Sequence, residues 1–251
     1  MLFTPDSARV VYVLDGAGEL CSAPADGSAP PVVLASIGCA SCDDSDFAFT
    51  LSADGSHVLY RDERYDHHPL LAVPVDGSAP AVELGGALPW FLAPFPPVSD
   101  GTSVAFLDHE GSVLHLYRRP IDASAPAERL DLGFLSSQGP PLLAADGSVV
   151  FLGDDEPQPD GLTLWAVPLD GGAPARALSG ALVPWGEVHE FALADGGTSV
   201  VYRADALVNG QDELFVVPLD ASAPPRRLNH ALASGSNVLA FALSADGTRA
   251  V

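Results

Sequence analysis

A fifteen-residue segment that begins and ends with leucine occurs five times in this chain. Its fullest form reads Leu-Trp-Ala-Val-Pro-Leu-Asp-Gly-Gly-Ala-Pro-Ala-Arg-Ala-Leu. Every copy has Pro at the fifth position, Asp at the seventh and Ala-Pro at the tenth and eleventh; the copies are Leu20–Leu34, Leu70–Leu84, Leu116–Leu130, Leu164–Leu178 and Leu214–Leu228. Successive copies lie 46 to 50 residues apart. This spacing predicts an array of one supersecondary unit, in which each unit buries its apolar face on its neighbours.

An Asp-Gly or related turn motif precedes each copy, as in Asp54-Gly55 before the apolar run Val58–Tyr60. Asp-Gly between β-branched and aromatic residues predicts a tight hairpin, because Gly supplies a positive φ and Asp hydrogen-bonds its own backbone. Within the fifteen-residue segment, Pro ends one strand because it lacks an N–H, and a second turn leads to the next strand. Four antiparallel strands, repeated every ~40–50 residues, are typical of β-propeller blades.

We therefore predict an all-β fold, a single β-propeller domain over residues 1–251 built from four-stranded antiparallel blades. Five complete blades and the start of a sixth are expected, at residues 2–34, 46–84, 92–130, 140–178, 189–228 and 238–251. The sixth unit stops inside its second strand, which predicts an incomplete or open ring. Free strand edges in such a ring would allow self-association.

The pattern Asp-Gly-x-x-Val-x-Tyr, a variable loop, and then Leu-Tyr/Phe-x-Val-Pro-x-Asp-Gly resembles the TolB-type (WD-like) β-propeller repeats of bacteria. Its best-preserved copy joins Val200–Asp205 to Glu213–Asp220. The resemblance covers nearly the whole chain and implies a periplasmic or extracellular location, although these residues contain no signal peptide. The family includes scaffolds, secreted proteins and the propellers that gate prolyl-oligopeptidase-like peptidases, so the resemblance is more specific for fold than for function.

The charge of the chain disfavours two classes of partner. The formal net charge is −22, from 33 acidic and 11 basic residues, and every basic residue is Arg. Nucleic acid and anionic membrane surfaces are unlikely partners because the long-range field has the wrong sign. No apolar run approaches the ~18–20 residues that cross a bilayer, so no membrane insertion is predicted.

Motifs for catalysis are absent from the sequence. It contains no Gly-x-Ser-x-Gly, no His-Glu-x-x-His and no Gly-x-x-x-x-Gly-Lys, and histidines such as His189 stand at no useful spacing from a nucleophile. We predict no enzyme activity and no cofactor, but a scaffold or binding module. The alternative is the gating propeller of a larger prolyl-oligopeptidase-like serine peptidase whose catalytic domain lies outside this chain.

Loops of varied length and composition join the second strand of a blade to its third, and the fourth strand to the next blade. Both kinds lie at one face of a propeller, called here the variable face, and such loops commonly carry binding. The candidate binding residues on it are Asp62, Glu63, Asp66, Asp154, Asp155, Glu156, Asp205, Trp90 and Trp185. The acidic members of this set could form a negative rim that attracts a basic protein or peptide. A solvated surface that only improves solubility is the alternative, and for the acids taken alone it is favoured.

Two tryptophans, Trp90 and Trp185, follow proline in matching loops. Because the position recurs with the blade, packing between blades is favoured for both. The alternative is an aromatic lip at the edge of a binding site.

A possible metal site combines Cys39 and Cys42 with His67 and His68, in loops expected at the same face of neighbouring blades. Thiolates and imidazoles are the ligands of tetrahedral zinc. A Cys39–Cys42 disulfide and two unpaired thiols are the alternatives. Cys21 takes a strand position that other blades fill with large apolar residues, so it is expected to be buried.

Overall fold

A computed structural model describes residues 1–14, 18–37, 49–62, 64, 69–85, 96–110, 113–130, 140–153 and 161–251. These residues form five four-stranded sheets with antiparallel pairing and the strands of each sheet in chain order. The described residues contain one short 3-10 segment and no α-helix. The prediction of an all-β propeller fold is confirmed. In this part of the chain no helix has the length and apolarity needed to cross a membrane.

The strands of the first three sheets follow the predicted blades. Blade 1 contains β1 (Leu2–Phe3), β2 (Arg9–Leu14), β3 (Glu19–Pro24) and β4 (Val32–Ser36). Blade 2 contains β5 (Phe49–Leu51), β6 (His57–Arg61), β7 (Leu70–Pro74) and β8 (Val82–Gly85). Blade 3 contains β9 (Val98–Ser99), β10 (Ser103–Glu110), β11 (Val113–Pro120) and β12 (Glu128–Arg129).

The last two sheets complete the set. Blade 4 contains β13 (Leu142–Leu143), β14 (Ser148–Gly153), β15 (Thr163–Pro168) and β16 (Arg176–Ala177). Blade 5 contains β17 (Val188–Ala194), β18 (Ser199–Ala204), β19 (Glu213–Pro218) and β20 (Arg226–Arg227). In the predicted sixth unit the strand pairing is one isolated β-bridge between Leu243 and Ala250. Both residues pack, with Val238 and Phe241, against a buried cluster of blade 5.

The chain divides into two compact units, residues 1–112 with 116–129, and residues 113–115 with 130–251. In the first unit, alternate residues of β6 point to opposite sides of its sheet, as the strand period of two requires. Val58 and Tyr60 are buried in a cluster with Val11 and Leu20 of blade 1. Leu59 is buried in a separate cluster with Val104 and Phe106 of blade 3.

The core of the second unit lies between blades 4 and 5. Val150 and Leu164 of blade 4 are fully buried against Val200 and Tyr202 of blade 5. The Tyr202 ring stacks on that of Phe215, with centroids 5.4 Å apart, and its hydroxyl donates a hydrogen bond to the Ser179 carbonyl oxygen at 3.1 Å. One aromatic side chain therefore ties strands β18 and β19 to the loop that enters blade 5.

The repeated aspartates cap turns, as their sequence position predicts. Asp26 Oδ1, for example, accepts a hydrogen bond from the Ser28 N–H at 2.9 Å. Hydrogen bonds from the side chain and the backbone N–H of the serine two residues on lower the pKa in four of these turns, at Asp26, Asp76, Asp122 and Asp220. The carboxylate form is thus favoured by the folded state.

These turns predict a loss of stability in acid. A pKa that folding lowers contributes stability above the unfolded value near 3.8, and that stability is lost as the pH falls through the folded value. We expect the urea midpoint of unfolding to fall between about pH 5 and about pH 2.5, and to fall less when Asp26 and Asp76 are both replaced by Asn. A midpoint that stays level or rises over this range would contradict the prediction.

Candidate functional site

The two variable loops of blade 5 are fully described and lie side by side. We call residues 179–187, between β16 and β17, the entry loop, and residues 205–212, between β18 and β19, the crossing loop. The Val183 N–H donates to the Ala206 carbonyl oxygen at 3.1 Å, and Asn209 Nδ2 donates to the Pro184 carbonyl oxygen at 3.4 Å. These bonds fix the two loops against each other.

Trp185 is held in an unfavourable backbone conformation at the tip of the entry loop. The Gly186 N–H donates to the Val183 carbonyl oxygen at 2.8 Å, so Val183–Gly186 is a turn with Pro184 second and Trp185 third. Trp185 has a φ of 65°, and a positive φ at the third position is the mark of a type II turn, which favours Gly there. A bulky residue at that position is a genuine conformational outlier.

Three large apolar side chains on the two loops are exposed to solvent. Trp185 is 65% exposed, Leu207 53% and Val208 55%. We call these three residues the apolar lip. The packing role that the sequence favoured for Trp185 is wrong, because a type II turn at the loop tip carries the indole out of the core.

Charged side chains form a cluster beside the lip. His189 Nε2 lies 3.0 Å from Asp212 Oδ1 and 3.9 Å from Asp205 Oδ1, and His189 Nδ1 lies 3.6 Å from Glu187 Oε1. The guanidinium of Arg203 pairs with Asp212 Oδ2 and, at 3.5 Å, with Glu190. One imidazole nitrogen and two carboxylate oxygens, from His189, Asp205 and Asp212, lie within 4.8 Å of one another and could hold a metal ion.

Asp205 is a buried acid that holds two loops together. It is 4% exposed, and its two carboxylate oxygens accept hydrogen bonds from the Glu187 N–H at 2.6 Å and the Gly210 N–H at 2.7 Å. The carboxylate therefore joins the entry loop to the crossing loop.

Asp62 in blade 2 is buried in a similar position after strand β6. It is 1% exposed, and its carboxylate is paired with Arg64. Burial raises the pKa of Asp62, but hydrogen bonds from the Arg64 side chain and backbone outweigh that effect and hold the pKa below its usual value. Like Asp205, Asp62 is bound by groups of this chain and does not line the exposed surface.

The other candidate residues lie outside the described residues, and their roles stay predictions: Glu63, Asp66, Asp154, Asp155, Glu156, Trp90, Cys39, Cys42, His67 and His68. Cys21 is 1% exposed with a free thiol, so its predicted burial is confirmed. Burial raises the pKa of this thiol.

Sequence reasoning missed His189 as a member of the cluster. The sequence places the start of blade 5 at residue 189 but assigns no role to that residue, whereas β17 begins at Val188 and carries both His189 and Glu190. The available signal is the position of Asp205 and Asp212 at the two ends of an eight-residue loop, because a loop that leaves and re-enters one sheet brings its ends close together. The pairing of Asp212 with His189 is visible only in the structure.

The five four-stranded antiparallel sheets are those of a β-propeller. No protein-family model matches the sequence, and no curated protein matches it either. Among solved structures the chain is similar to TolB from Acinetobacter baumannii, with a TM-score of 0.51 and 14% identity over 97% of this chain and 58% of that one.

Two further solved structures are enzymes. An oligogalacturonate lyase in complex with manganese gives a TM-score of 0.54 and 14% identity over 98% of this chain and 67% of that one. Dipeptidyl peptidase 4 of Porphyromonas gingivalis gives 0.61 and 12% over 93% of this chain and 40% of that one. At these identities the likeness establishes the fold alone, and the peptidase-gating alternative stays a prediction.

Proposed function

We propose that the protein is a non-catalytic binding module that docks a basic protein or peptide segment on the entry and crossing loops of blade 5. Its resemblance to TolB-type propellers also suggests a periplasmic or extracellular location. The observation that carries the docking proposal is Trp185, a 65% exposed aromatic side chain in a turn position that favours glycine.

A second turn of the same chain has glycine at the third position, where the entry loop has Trp185. Ala233–Ser236 closes with a bond from the Ser236 N–H to the Ala233 carbonyl oxygen at 3.0 Å, and Gly235 takes the third place with a φ of 78°. The flanking sequences correspond, since Ala-Leu precedes both turns and Val follows two residues after each. Trp185 thus replaces the glycine that the turn prefers, as expected of strain retained for function.

The charges around the lip favour a cationic partner. Glu187 and Glu190 have side chains 37% and 44% exposed, and the chain as a whole carries a net charge of −22. Aromatic anchors surrounded by polar groups are typical of interface hot spots. An apolar side chain placed next to Arg or Lys would meet the lip and the two carboxylates together.

The proposal predicts a separation of binding from stability. We would incubate labelled protein with an array of N-terminally acetylated peptides that differ in net charge and in the number of apolar residues. Peptides that combine basic and apolar residues should bind, and Trp185→Gly should weaken the best of them by at least about tenfold, as for loss of an aromatic anchor. The same variant should unfold at an unchanged or higher midpoint, because relief of about 1 kcal/mol of strain offsets the greater entropy of unfolded glycine.

Phe3→Ala is the matched control, since Phe3 is an aromatic that is 54% exposed on β1 of blade 1. It should leave peptide binding unchanged. Binding that is equal in wild type and Trp185→Gly, or an array in which neutral and acidic peptides bind as well as basic ones, would overturn the proposal.

A further inference from the structure

We propose that His189, Asp205 and Asp212 bind one zinc ion between the entry and crossing loops of blade 5. The site is independent of the proposed docking function, because its ligands do not include the exposed apolar lip. One donor atom from each of the three residues lies within 4.8 Å of the other two. The carboxylate oxygens that the structure places nearest to His189 Nε2 are Asp212 Oδ1 and Asp205 Oδ1. Ligands bonded at about 2.0–2.1 Å in a tetrahedron lie roughly 3.3–3.5 Å apart. His189 Nε2 lies 3.0 Å from Asp212 Oδ1 and 3.9 Å from Asp205 Oδ1, so the two distances lie on either side of the spacing expected for zinc ligands.

Contacts to each carboxylate hold it beside His189. Asp205 Oδ2 accepts the Gly210 N–H and Asp205 Oδ1 accepts the Glu187 N–H, so Oδ1 would use its second lone pair to bind the metal. Asp212 Oδ2 is paired with Arg203, and Asp212 Oδ1 lies toward His189. His189 Nδ1 faces the carboxylate of Glu187. The distance is 3.6 Å, so a small movement would let Nδ1–H donate to this carboxylate, the contact that leaves Nε2 free to coordinate in many metal sites.

Charge and burial both favour a cation at this point. The cluster contains four carboxylates, of which Asp212 and Glu190 contact the guanidinium of Arg203, and Glu187 and Asp205 lie beside His189. The side chains of Asp205 and Asp212 are 5% and 18% exposed, so much of this negative charge is withdrawn from water. Buried charge is unfavourable unless it is paired or coordinates a metal, and one arginine does not balance the cluster.

The donor set selects zinc over the hard cations. Calcium and magnesium prefer all-oxygen ligands in larger numbers, whereas zinc accepts imidazole nitrogen with carboxylate oxygen. Three protein ligands leave a fourth tetrahedral position for water or for a donor from a partner. Zinc here would also connect β17 to the crossing loop, because His189 lies on that strand and Asp205 and Asp212 lie at the ends of the loop.

The test is a calorimetric titration of metal-free protein with zinc chloride, in a Cys39→Ser, Cys42→Ser background that removes the other zinc candidate. We expect one zinc per chain, with affinity at least tenfold weaker in His189→Ala and in Asp212→Asn. His230→Ala, which removes an exposed imidazole, should bind zinc like its parent. Calcium and magnesium chloride should give no comparable binding.

Cobalt substitution separates a lost site from a damaged fold. Co²⁺ in the parent should show the absorption bands of tetrahedral nitrogen and oxygen coordination, and these should be absent from His189→Ala, whose fold is checked by its circular dichroism. Equal zinc stoichiometry and affinity in the parent and His189→Ala would overturn the proposal. Zinc binding that disappears with the two cysteines but persists in His189→Ala with both cysteines present would overturn it as well.

Discussion

Replacing Tyr202 by alanine should lower the free energy of unfolding by about 3–5 kcal/mol, the usual range when a fully buried aromatic side chain is removed. Tyr202 is 0% exposed, it stacks on Phe215, and its hydroxyl bonds to the Ser179 carbonyl oxygen. The change should be measured by urea unfolding followed by circular dichroism. Because the side chain joins blades 4 and 5, the loss should appear in the main transition rather than in a local one.

Two further variants separate the ring from its hydroxyl. Tyr202→Phe keeps the stacking and removes one hydrogen bond, so it should cost about 1 kcal/mol. Leu207→Ala truncates a side chain that is 53% exposed and should have little effect on unfolding. A Tyr202→Ala protein that unfolds at the wild-type midpoint would show that this cluster is not the core of the second unit.

Replacing Asp205 by alanine should destabilise the protein by about 3 kcal/mol, because two backbone N–H groups lose a charged acceptor. The Glu187 and Gly210 N–H groups belong to different loops, so both loops should loosen together. Urea unfolding gives the free energy, and amide exchange at residues 187 and 210 gives the local effect. Binding of basic peptides should weaken in parallel, since these loops present Trp185.

Asp220→Ala is the comparison for that prediction. Asp220 also accepts a backbone N–H, from Ser222 at 2.9 Å, but in an exposed turn at the other end of the blade 5 strands. Its loss should be much smaller, since water can replace the carboxylate as the acceptor. If Asp220→Ala and Asp205→Ala lowered the free energy of unfolding equally, the structural role assigned to Asp205 would be contradicted.

The sequence predicts the blades well because their signals are local. Asp-Gly turns, strand-ending prolines and alternating apolar residues each depend on a few neighbouring positions, and they recur five times. The burial of Cys21 follows from the same repeat, since its position in β3 matches large apolar residues in other blades. In the sixth unit the same turn signal gives one isolated bridge, Leu243–Ala250, whose residues pack on blade 5.

The site is harder to predict because its contacts join residues that are distant in sequence. The sequence predicts that Asp205 is a surface acid. The structure shows instead that it accepts hydrogen bonds from the N–H groups of residues 187 and 210. The sequence predicts packing for Trp185 because a Pro-Trp pair recurs in matching loops. Its φ of 65° is known only from the structure. His189 belongs to no sequence motif, so its pairing with Asp212 is missed.

The most direct test of the account is hydrogen exchange of the wild-type protein with and without the tightest basic peptide from the array. The docking proposal predicts slower exchange of amides in residues 182–190 and 204–213, and no change in the turn at residues 218–224, at the other end of the same strands. Unchanged exchange in both loops of blade 5, or slowing confined to the 218–224 turn, would contradict the claim that these loops are the binding surface.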